Sequence, residues 1–203
     1  MKPECETKCK LLRVASQLLW ENSYGSVSVD DICTRAGANK GSFYHFFPSK
    51  SDLAVAAMEA DWQEKSSQYD QMFSPQVPPM ERLARYCLAS YECQKEKRDH
   101  YGKVCGCPTM TLGSEVSTQE DKIRLKAVEI MGRYVRYFES ALREAASEGL
   151  IEAGNARARA EELFSYSQGL LLQARMRNDL APLLGMKAGM YRLIGFQEQG
   201  ATV

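Results

Sequence analysis

Residues 28–50 read SVDDICTRAGANKGSFYHFFPSK, and this stretch decides the fold. It opens with a serine three residues before Asp31, which is the S-x-x-D spacing of a capping box at the start of a helix. Gly37 is suited to end that helix, and Asn39 is a good N-cap for a second helix that ends before Pro48. Two short helices joined by a small glycine-containing turn make a helix-turn-helix, whose second helix can enter the major groove of DNA.

The rest of the chain carries apolar residues at steps of three and four, which is the periodicity of amphipathic helices. This pattern predicts an all-α protein of about nine helices, with a break at 74–79 and a long helix over about 119–148. We expect a charged, mobile loop from about residue 95 to 106 and a single last helix after Pro182. We find no alternation long enough to indicate a β-strand.

Composition excludes several classes of protein. The 203 residues are 44% hydrophobic and 26% charged, with 26 basic and 26 acidic side chains, which are ordinary globular values. The longest aliphatic run, 170–172, is far shorter than the roughly 18 apolar residues of a membrane span, and residues 1–10 lack the apolar core of a secretory signal. We therefore expect a soluble, cytoplasmic protein. Residues 1–50 hold seven basic and five acidic groups, which permits nucleic-acid binding but does not indicate it.

Motifs of enzymes are absent from the sequence. There is no G-x-S-x-G, H-E-x-x-H, Walker A loop or dinucleotide fingerprint, and two histidines leave little room for a catalytic triad. We therefore expect no enzymatic activity and no cofactor.

Seven cysteines in a chain without an export signal are expected to be reduced thiols. A soft metal held by His100, Cys105 and Cys107 is an alternative, although the CxxC pairs of a structural zinc site are missing. Packing or surface positions are expected for three N-terminal cysteines, Cys5, Cys9 and Cys33.

Residues 28–50 resemble the TetR/AcrR family of transcriptional regulators. They match its capped helix, its Ala-Gly turn, its Lys-Gly-(Ser/Thr)-x-Tyr-(His/Tyr) recognition helix and its Phe-x-(Ser/Asn)-Lys exit, and the close match covers about the first 55 residues. The resemblance implies a DNA-binding domain at 1–48 and a ligand-binding and dimerisation domain at 49–203. Its partners would be a double-stranded DNA operator, a small-molecule effector and a second copy of the chain.

The same resemblance implies DNA contacts from a set of nine residues, namely Ser28, Asn39, Lys40, Gly41, Ser42, Tyr44, His45, Phe46 and Lys50. Lys40 can meet phosphate or guanine, Gly41 permits close approach, and Tyr44 offers a hydroxyl. Lys50 is expected to hold the DNA backbone. Each of these residues taken alone is more often solvated surface, so the prediction rests on their joint register.

Two further surfaces follow from helix periodicity and the resemblance. Eight residues of the last helices are expected to pair about a two-fold axis into a four-helix bundle, or else to pack within their own domain: Leu163, Tyr166, Leu170, Ala174, Leu183, Met186, Met190 and Leu193. Seven residues are expected to line an effector pocket, or else to be plain core: Tyr86, Tyr91, Met110, Met131, Tyr134, Phe138 and Tyr166.

Cys107 is a candidate sensor. The stretch 106–116 resembles Gly-Cys-x-x-x-x-Leu-x-x-Glu in the electrophile-responsive N-ethylmaleimide reductase repressor branch of the family. Cys107 precedes Pro108 at the start of a short helix, where backbone amides can stabilise a thiolate, and Lys103 is four residues away. The alternative is a buried cysteine that serves as a small apolar residue.

These observations predict a ligand-responsive transcriptional regulator, most simply a repressor. It would bind a palindromic operator as a dimer and be released by an effector or by modification of Cys107. The long helix that Ser49 caps is expected to be the one element that couples the two domains. The alternative is an all-helical small-molecule-binding or stress-sensing protein that does not bind DNA.

Overall fold

The computed structural model describes residues 3–198, with side chains from residue 6 onward, and all regular secondary structure within that range is helical. Ten helices are present there: α1 (Pro3–Glu21), α2 (Val29–Ala36), α3 (Lys40–Phe46), α4 (Lys50–Met72), α5 (Pro79–Tyr101), α6 (Pro108–Val116), α7 (Asp121–Ser147), α8 (Ala156–Arg177), α9 (Ala181–Leu184) and α10 (Met186–Leu193).

Three of these helices differ from the sequence prediction. The single helix expected after Pro182 is divided at Gly185 into α9 and α10. Helix α5 continues to Tyr101, so the first half of the loop expected at 95–106 is helical. Two basic side chains in the last turn of α5, Arg98 and His100, suit the negative end of its dipole, which explains why a charged stretch can remain helical there.

The caps of α2 and α3 form as the sequence predicts. Ser28 Oγ accepts from the Asp31 N–H at 3.1 Å, and the Asp31 carboxylate accepts from the Ser28 N–H at 2.8 Å. Gly37 ends α2 in the left-handed region at φ 63°. Asn39 Oδ1 accepts from the Ser42 N–H at 2.7 Å and so starts α3. The helix-turn-helix is therefore defined by contacts between residues three apart.

The chain divides into two compact units. The first comprises the chain up to Ser66 together with Pro108–Met131, and the second comprises Ser67–Cys107 and the chain from Gly132 onward. In the described residues the chain passes between them three times: inside α4, inside α7, and at the bond between Cys107 and Pro108. The functional boundary expected between residues 48 and 49 stays a prediction.

In the first unit, α1 packs against α2, α3 and α6. Its centre is formed by Leu11, Ile32 and Phe43, which are fully buried. Phe47 is buried as well, so the two phenylalanines four residues apart are core, as their spacing predicts. This core leaves the opposite face of α3 exposed.

The second unit buries most of the residues expected at a dimer surface. Leu163, Ala174, Leu183, Met186 and Met190 are all at most 3% exposed, and they form its core. The dimer prediction for these five side chains is therefore wrong, and the alternative, packing within their own domain, holds. Of the expected set, Leu193 is exposed, and three further apolar side chains are exposed on the same helices: Leu172, Met176 and Leu184.

A buried arginine holds the turn before α5. Arg82, 1% exposed, donates from Nε to the Val77 carbonyl at 2.6 Å, and its Nη1 lies 2.7 Å from Glu144 Oε2. Its Nη2 donates to Glu144 Oε1 at 2.8 Å and to the Pro75 carbonyl at 3.2 Å. The cation is therefore paired and hydrogen-bonded, which is the condition for burying it.

Candidate DNA interface and thiol site

The recognition helix α3 has one buried face and one exposed face. Phe43 is fully buried, whereas Tyr44 is 54% exposed and Lys40 and His45 are exposed beside it. Because Phe43 packs into the core, the exposed side chains are held on a rigid helix. Of the nine expected DNA contacts, the structure exposes six, Ser28, Asn39, Lys40, Gly41, Tyr44 and His45, and half-buries the other three, Ser42, Phe46 and Lys50.

Lys40 lies in an ion pair with Asp30 of α2, at 2.8 Å between Nζ and Oδ1. The hydrogen bond to Asp30 raises the pKa of Lys40. Both side chains are more than half exposed, and exposed pairs contribute little stability. A DNA phosphate can therefore replace Asp30 as the partner of this lysine.

Ser28 and Asn39 already have roles as caps. The Ser28 hydroxyl donates to Asp31 Oδ2 at 2.6 Å, and a Cβ built on Gly41 would lie 3.2 Å from Asn39 Oδ1. Glycine at position 41 thus leaves room for the N-cap side chain. The expected DNA contacts of these residues stay predictions.

Lys50 has a structural role that sequence reasoning missed. Its ammonium donates to the carbonyls of Tyr24 at 2.8 Å and Val27 at 2.9 Å, and it lies 3.9 Å from the centre of the Tyr24 ring. Burial lowers the pKa of Lys50. In this structure the side chain expected to hold DNA instead holds the turn between α1 and α2.

The same turn is bound by Glu115 of α6. Its Oε2 accepts from the Tyr24 N–H at 2.9 Å and its Oε1 accepts from the Gly25 N–H at 3.1 Å. Burial, together with the nearby charge of Glu120, raises the pKa of Tyr24 to about 12. The turn between α1 and α2 is therefore contacted by α6 as well as by α4, and the expected role of α4 as the one element that couples the two domains stays a prediction.

The segment before Cys107 is fastened by Gln94, a buried side chain of α5. Gln94 Oε1 accepts from the N–H groups of Cys105 at 3.1 Å and Gly106 at 2.7 Å, and its Nε2 donates to the Gly106 carbonyl at 3.1 Å. Gly106 takes φ 68°, and a Cβ there would lie 3.4 Å from the side chain of Arg175. A residue with a side chain would be strained at this position.

Helix α8 and its C-cap hold the other side of this segment. Arg175 donates to the Cys105 carbonyl at 2.6 Å. Asn178 accepts from the Val104 N–H at 2.8 Å and donates to the Gly102 carbonyl at 3.3 Å. The mobile loop expected here is thus corrected to a short segment whose backbone is hydrogen-bonded by three side chains.

Cys107 itself is half-buried, next to α6. Tyr69 and Tyr86 belong to its surroundings: burial raises the pKa of both phenols, and a charge on Cys107 raises it further. Cys105, which is buried, donates from its thiol to the Lys103 carbonyl at 3.6 Å. Tyr69 and Tyr86 belong to one aromatic cluster, and the sulfur of Cys107 lies within electrostatic range of both.

That cluster contains part of the expected effector pocket. Tyr86 is buried, donates to Ser167 Oγ at 3.1 Å and packs edge-on against Phe138 with ring centres 4.8 Å apart. Tyr134 stacks on Phe164 at 5.7 Å. Tyr91 and Tyr166 are half-buried members of the same unit, whereas Met110 and Met131 belong to the first unit. Pocket roles for all seven stay predictions.

Two features of these regions carried no sequence signal. Gln168 of α8 is buried, and among the described residues its Oε1 has no hydrogen-bond partner. In the first unit, a small cleft that is partly open to solvent lies between α1, α4 and α6. Its walls include Leu19, Trp20, Met58 and Leu112, and none of the residues expected to bind an effector lines it.

The remaining sequence expectations concern cysteines, metals and membranes. The six cysteines whose side chains are described are not in disulfides, and Cys5 lies outside those side chains. Residues 3–198 contain no group of three metal-binding side chains. None of the described helices combines the length and the apolar character needed to cross a membrane.

Comparison with known protein families shows which family the chain belongs to. Residues 11–57 match the family described as "Bacterial regulatory proteins, tetR family", and residues 79–188 match "Tetracyclin repressor-like, C-terminal domain". The chain belongs to the TetR family. As a TetR-family protein, it is a transcriptional regulator that binds DNA through its helix-turn-helix and carries a ligand-binding C-terminal domain.

Relatives in the TetR family extend over most of the chain. The transcriptional regulator AcuR of Cereibacter sphaeroides is 30% identical over 85% of this chain and 78% of its own length. The transcriptional repressor NemR of Escherichia coli is 26% identical over 94% of this chain and 95% of its own. The crystal structure of a regulatory protein TetR from Rhodobacter sphaeroides has a TM-score of 0.80 at 28% identity, covering 91% of this chain and 97% of that one. These relatives are regulators of transcription rather than enzymes.

Proposed function

We propose that this protein is a cytoplasmic repressor that binds a palindromic operator as a homodimer and leaves it when an effector binds or Cys107 is modified. The observation that carries the DNA-binding part is the exposed face of α3. Lys40, Tyr44 and His45 lie together on it, on a helix whose other face is anchored by Phe43. Such a helix can contact base edges and phosphates in a major groove.

The small net charge of the DNA-binding region supports the proposal of a dimer. The first 50 residues carry only two more basic than acidic groups, so one copy would release few counterions from DNA. We propose that the exposed apolar side chains of α8 to α10, Leu172, Met176, Leu184 and Leu193, form the contact between copies. Burying them would remove apolar surface from water, which favours association.

The sensing part of the proposal concerns Cys107. Its sulfur, as thiolate, adds to the electrophilic carbon of an activated alkene or quinone. A sulfur–carbon bond forms, the π-electron pair moves onto the electrophile, and water supplies the proton that completes the adduct. A hydroperoxide would instead transfer an oxygen atom to sulfur, which gives a sulfenic acid and leaves the corresponding alcohol. The distant likeness to NemR supports membership of the electrophile-responsive branch.

The DNA-binding test is a gel shift with DNA from upstream of the protein's own gene, with and without competitor DNA. Tyr44→Ala and Lys40→Ala should weaken binding and change base preference by about 1–3 kcal/mol for each good base contact. Wild-type affinity in both variants would contradict the assignment of α3. Failure of the wild-type protein to bind any such DNA would favour the alternative, a stress-sensing protein without DNA binding.

The sensing test compares Cys107→Ser with wild type. The variant should bind the operator normally yet remain bound after treatment with a quinone. If Cys107→Ser is released as wild type is, Cys107 is a packing residue and the effector is a reversible ligand.

A further inference from the structure

We propose that Glu115 is the positioning residue through which α6 makes the helix-turn-helix respond to the state of Cys107. This inference rests on the thiol switch proposed above. It starts from two hydrogen bonds between segments about 90 residues apart in the chain: the Glu115 carboxylate accepts the backbone N–H groups of Tyr24 and Gly25.

The turn between α1 and α2 is held by opposite charges from two helices. Glu115 of α6 accepts hydrogen bonds from the N–H groups of the turn. Lys50 of α4 donates hydrogen bonds to the carbonyls of Tyr24 and Val27. The turn leads directly into the capping box at Ser28, which starts α2. A change in the turn therefore changes the start of the first helix of the helix-turn-helix.

The other end of α6 begins at the proposed sensor. Pro108, the first residue of α6, is bonded to Cys107, at the point where the chain passes between the two units outside a helix. Pro108, Thr109 and Leu112 also line the cleft that α6 shares with α1 and α4. The beginning of α6 thus has space beside it, whereas its last turn is fastened by Glu115.

Helix α6 is short enough to move as one body. Its nine residues span about 13 Å, and a helix of this length transmits a displacement at one end to the other. Because Cys107 is bonded to Pro108, a group added to its sulfur is attached to the residue that directly precedes α6. We expect α6 to tilt into the cleft, so that the Glu115 carboxylate withdraws from the amides of the turn.

The experiment uses N-ethylmaleimide as the probe and operator affinity of the full-length protein as the readout. Glu115→Gln keeps the size of the side chain, but its amide NH₂ group cannot accept a hydrogen bond, so one of the two contacts is lost. Glu64→Gln is the matched control, because Glu64 is an exposed acid on α4 of the same unit. Glu115→Asp, which shortens the side chain but keeps its charge, is the second variant.

Labelling Cys107 should lower the operator affinity of wild type and Glu64→Gln by at least about fivefold, the lower end of typical allosteric coupling. In Glu115→Gln and Glu115→Asp, the same labelling should change operator affinity by less than about twofold. If the role of Glu115 were merely structural, its variants would have a lower unfolding temperature, but labelling would change their operator affinity by the same factor as in wild type. Amide hydrogen exchange at Tyr24 and Gly25 should rise on labelling in wild type and be already high in Glu115→Gln.

Two outcomes overturn the proposal and are distinguishable. A full response in both Glu115 variants would remove Glu115 from the pathway while leaving the thiol switch in place. An unchanged affinity in fully labelled wild type, or an equal response in Cys107→Ser, would overturn the thiol switch and the role of Glu115 with it.

Discussion

Single side chains in this protein have roles that depend on partners far away in the chain. Lys50 illustrates this, because its position at the start of α4 suggests a phosphate contact while its ammonium is engaged by two carbonyls of the α1–α2 turn. Tyr44, in contrast, has an exposed side chain on the recognition helix. Mutation of Lys50 should therefore lower the stability of the folded protein, whereas mutation of Tyr44 should weaken DNA binding.

Lys50→Met should destabilise the folded protein by about 1–3 kcal/mol, because it leaves backbone carbonyls without a charged donor. Lys122→Met is the control, since Lys122 is an exposed lysine paired with Asp52, and it should cost no more than about 1 kcal/mol. Thermal and denaturant unfolding measure both changes. Unaltered stability of Lys50→Met together with a flatter salt dependence of DNA binding would restore the phosphate role.

The cysteines should differ widely in reactivity. Burial raises the pKa of Cys87 to about 12, so at pH 7 to 8 its thiolate is scarce and its sulfur is shielded as well. Burial also raises the pKa of Cys33. Peptide mapping after brief maleimide treatment of the native protein should find exposed Cys9 labelled and Cys87 intact. Rapid labelling of Cys87 would mean that the second unit opens readily.

Pairs of helices are sensitive to single atoms where they approach closely. A Cβ built on Gly113 of α6 would lie 2.6 Å from the Cβ of Ala127 on α7, closer than real Cβ atoms approach. The atom in the way belongs to a short side chain, which cannot turn aside. The two helices must then separate for any larger residue.

Gly113→Ala should lower the free energy of unfolding by about 1–3 kcal/mol, as overpacking does in other cores. Gly132→Ala is a matched control on α7, because a Cβ at that position meets nothing within 4 Å. The control should be neutral or stabilise the protein by up to about 1 kcal/mol, since alanine favours helix over glycine. Equal stability of the two variants would show that α6 and α7 pack less tightly than described.

We expect the functional form of the whole protein to be a dimer. Leu172 and Met176 are four residues apart on α8 and therefore lie on the same face of the helix. Both are exposed, Met176 to 78%. Charge on this stripe should oppose association without disturbing the core beneath it. Operator binding should then suffer as a consequence of lost avidity.

Met176→Glu should shift the protein toward monomer and weaken operator binding by at least about tenfold, because a single copy loses the second half-site. Leu88→Glu places the same charge on an exposed leucine of α5, outside the stripe, and should leave both properties unchanged. Analytical ultracentrifugation and gel shifts measure the two effects. A dimeric Met176→Glu would assign the contact between copies to another surface.

The sequence predicted best those contacts whose two residues lie close together in the chain. The capping box at Ser28 and the N-cap at Asn39 involve residues three positions apart, and local patterns predicted them. The all-α fold and the TetR family followed from the same short-range signals. Periodicity also marked which residues are apolar, but not whether each packs inside its unit or faces outward.

Only the tertiary structure decided the roles of residues whose partners are distant. Glu115 binds a turn about 90 residues earlier, Arg82 pairs with Glu144, and Gln94 holds the backbone before Cys107. Likewise Met186 is buried while Met176 is exposed, although both are apolar residues of the last helices. The physical reason is that caps and helix periodicity are local properties of the chain, whereas burial and long-range hydrogen bonds depend on how helices are brought together.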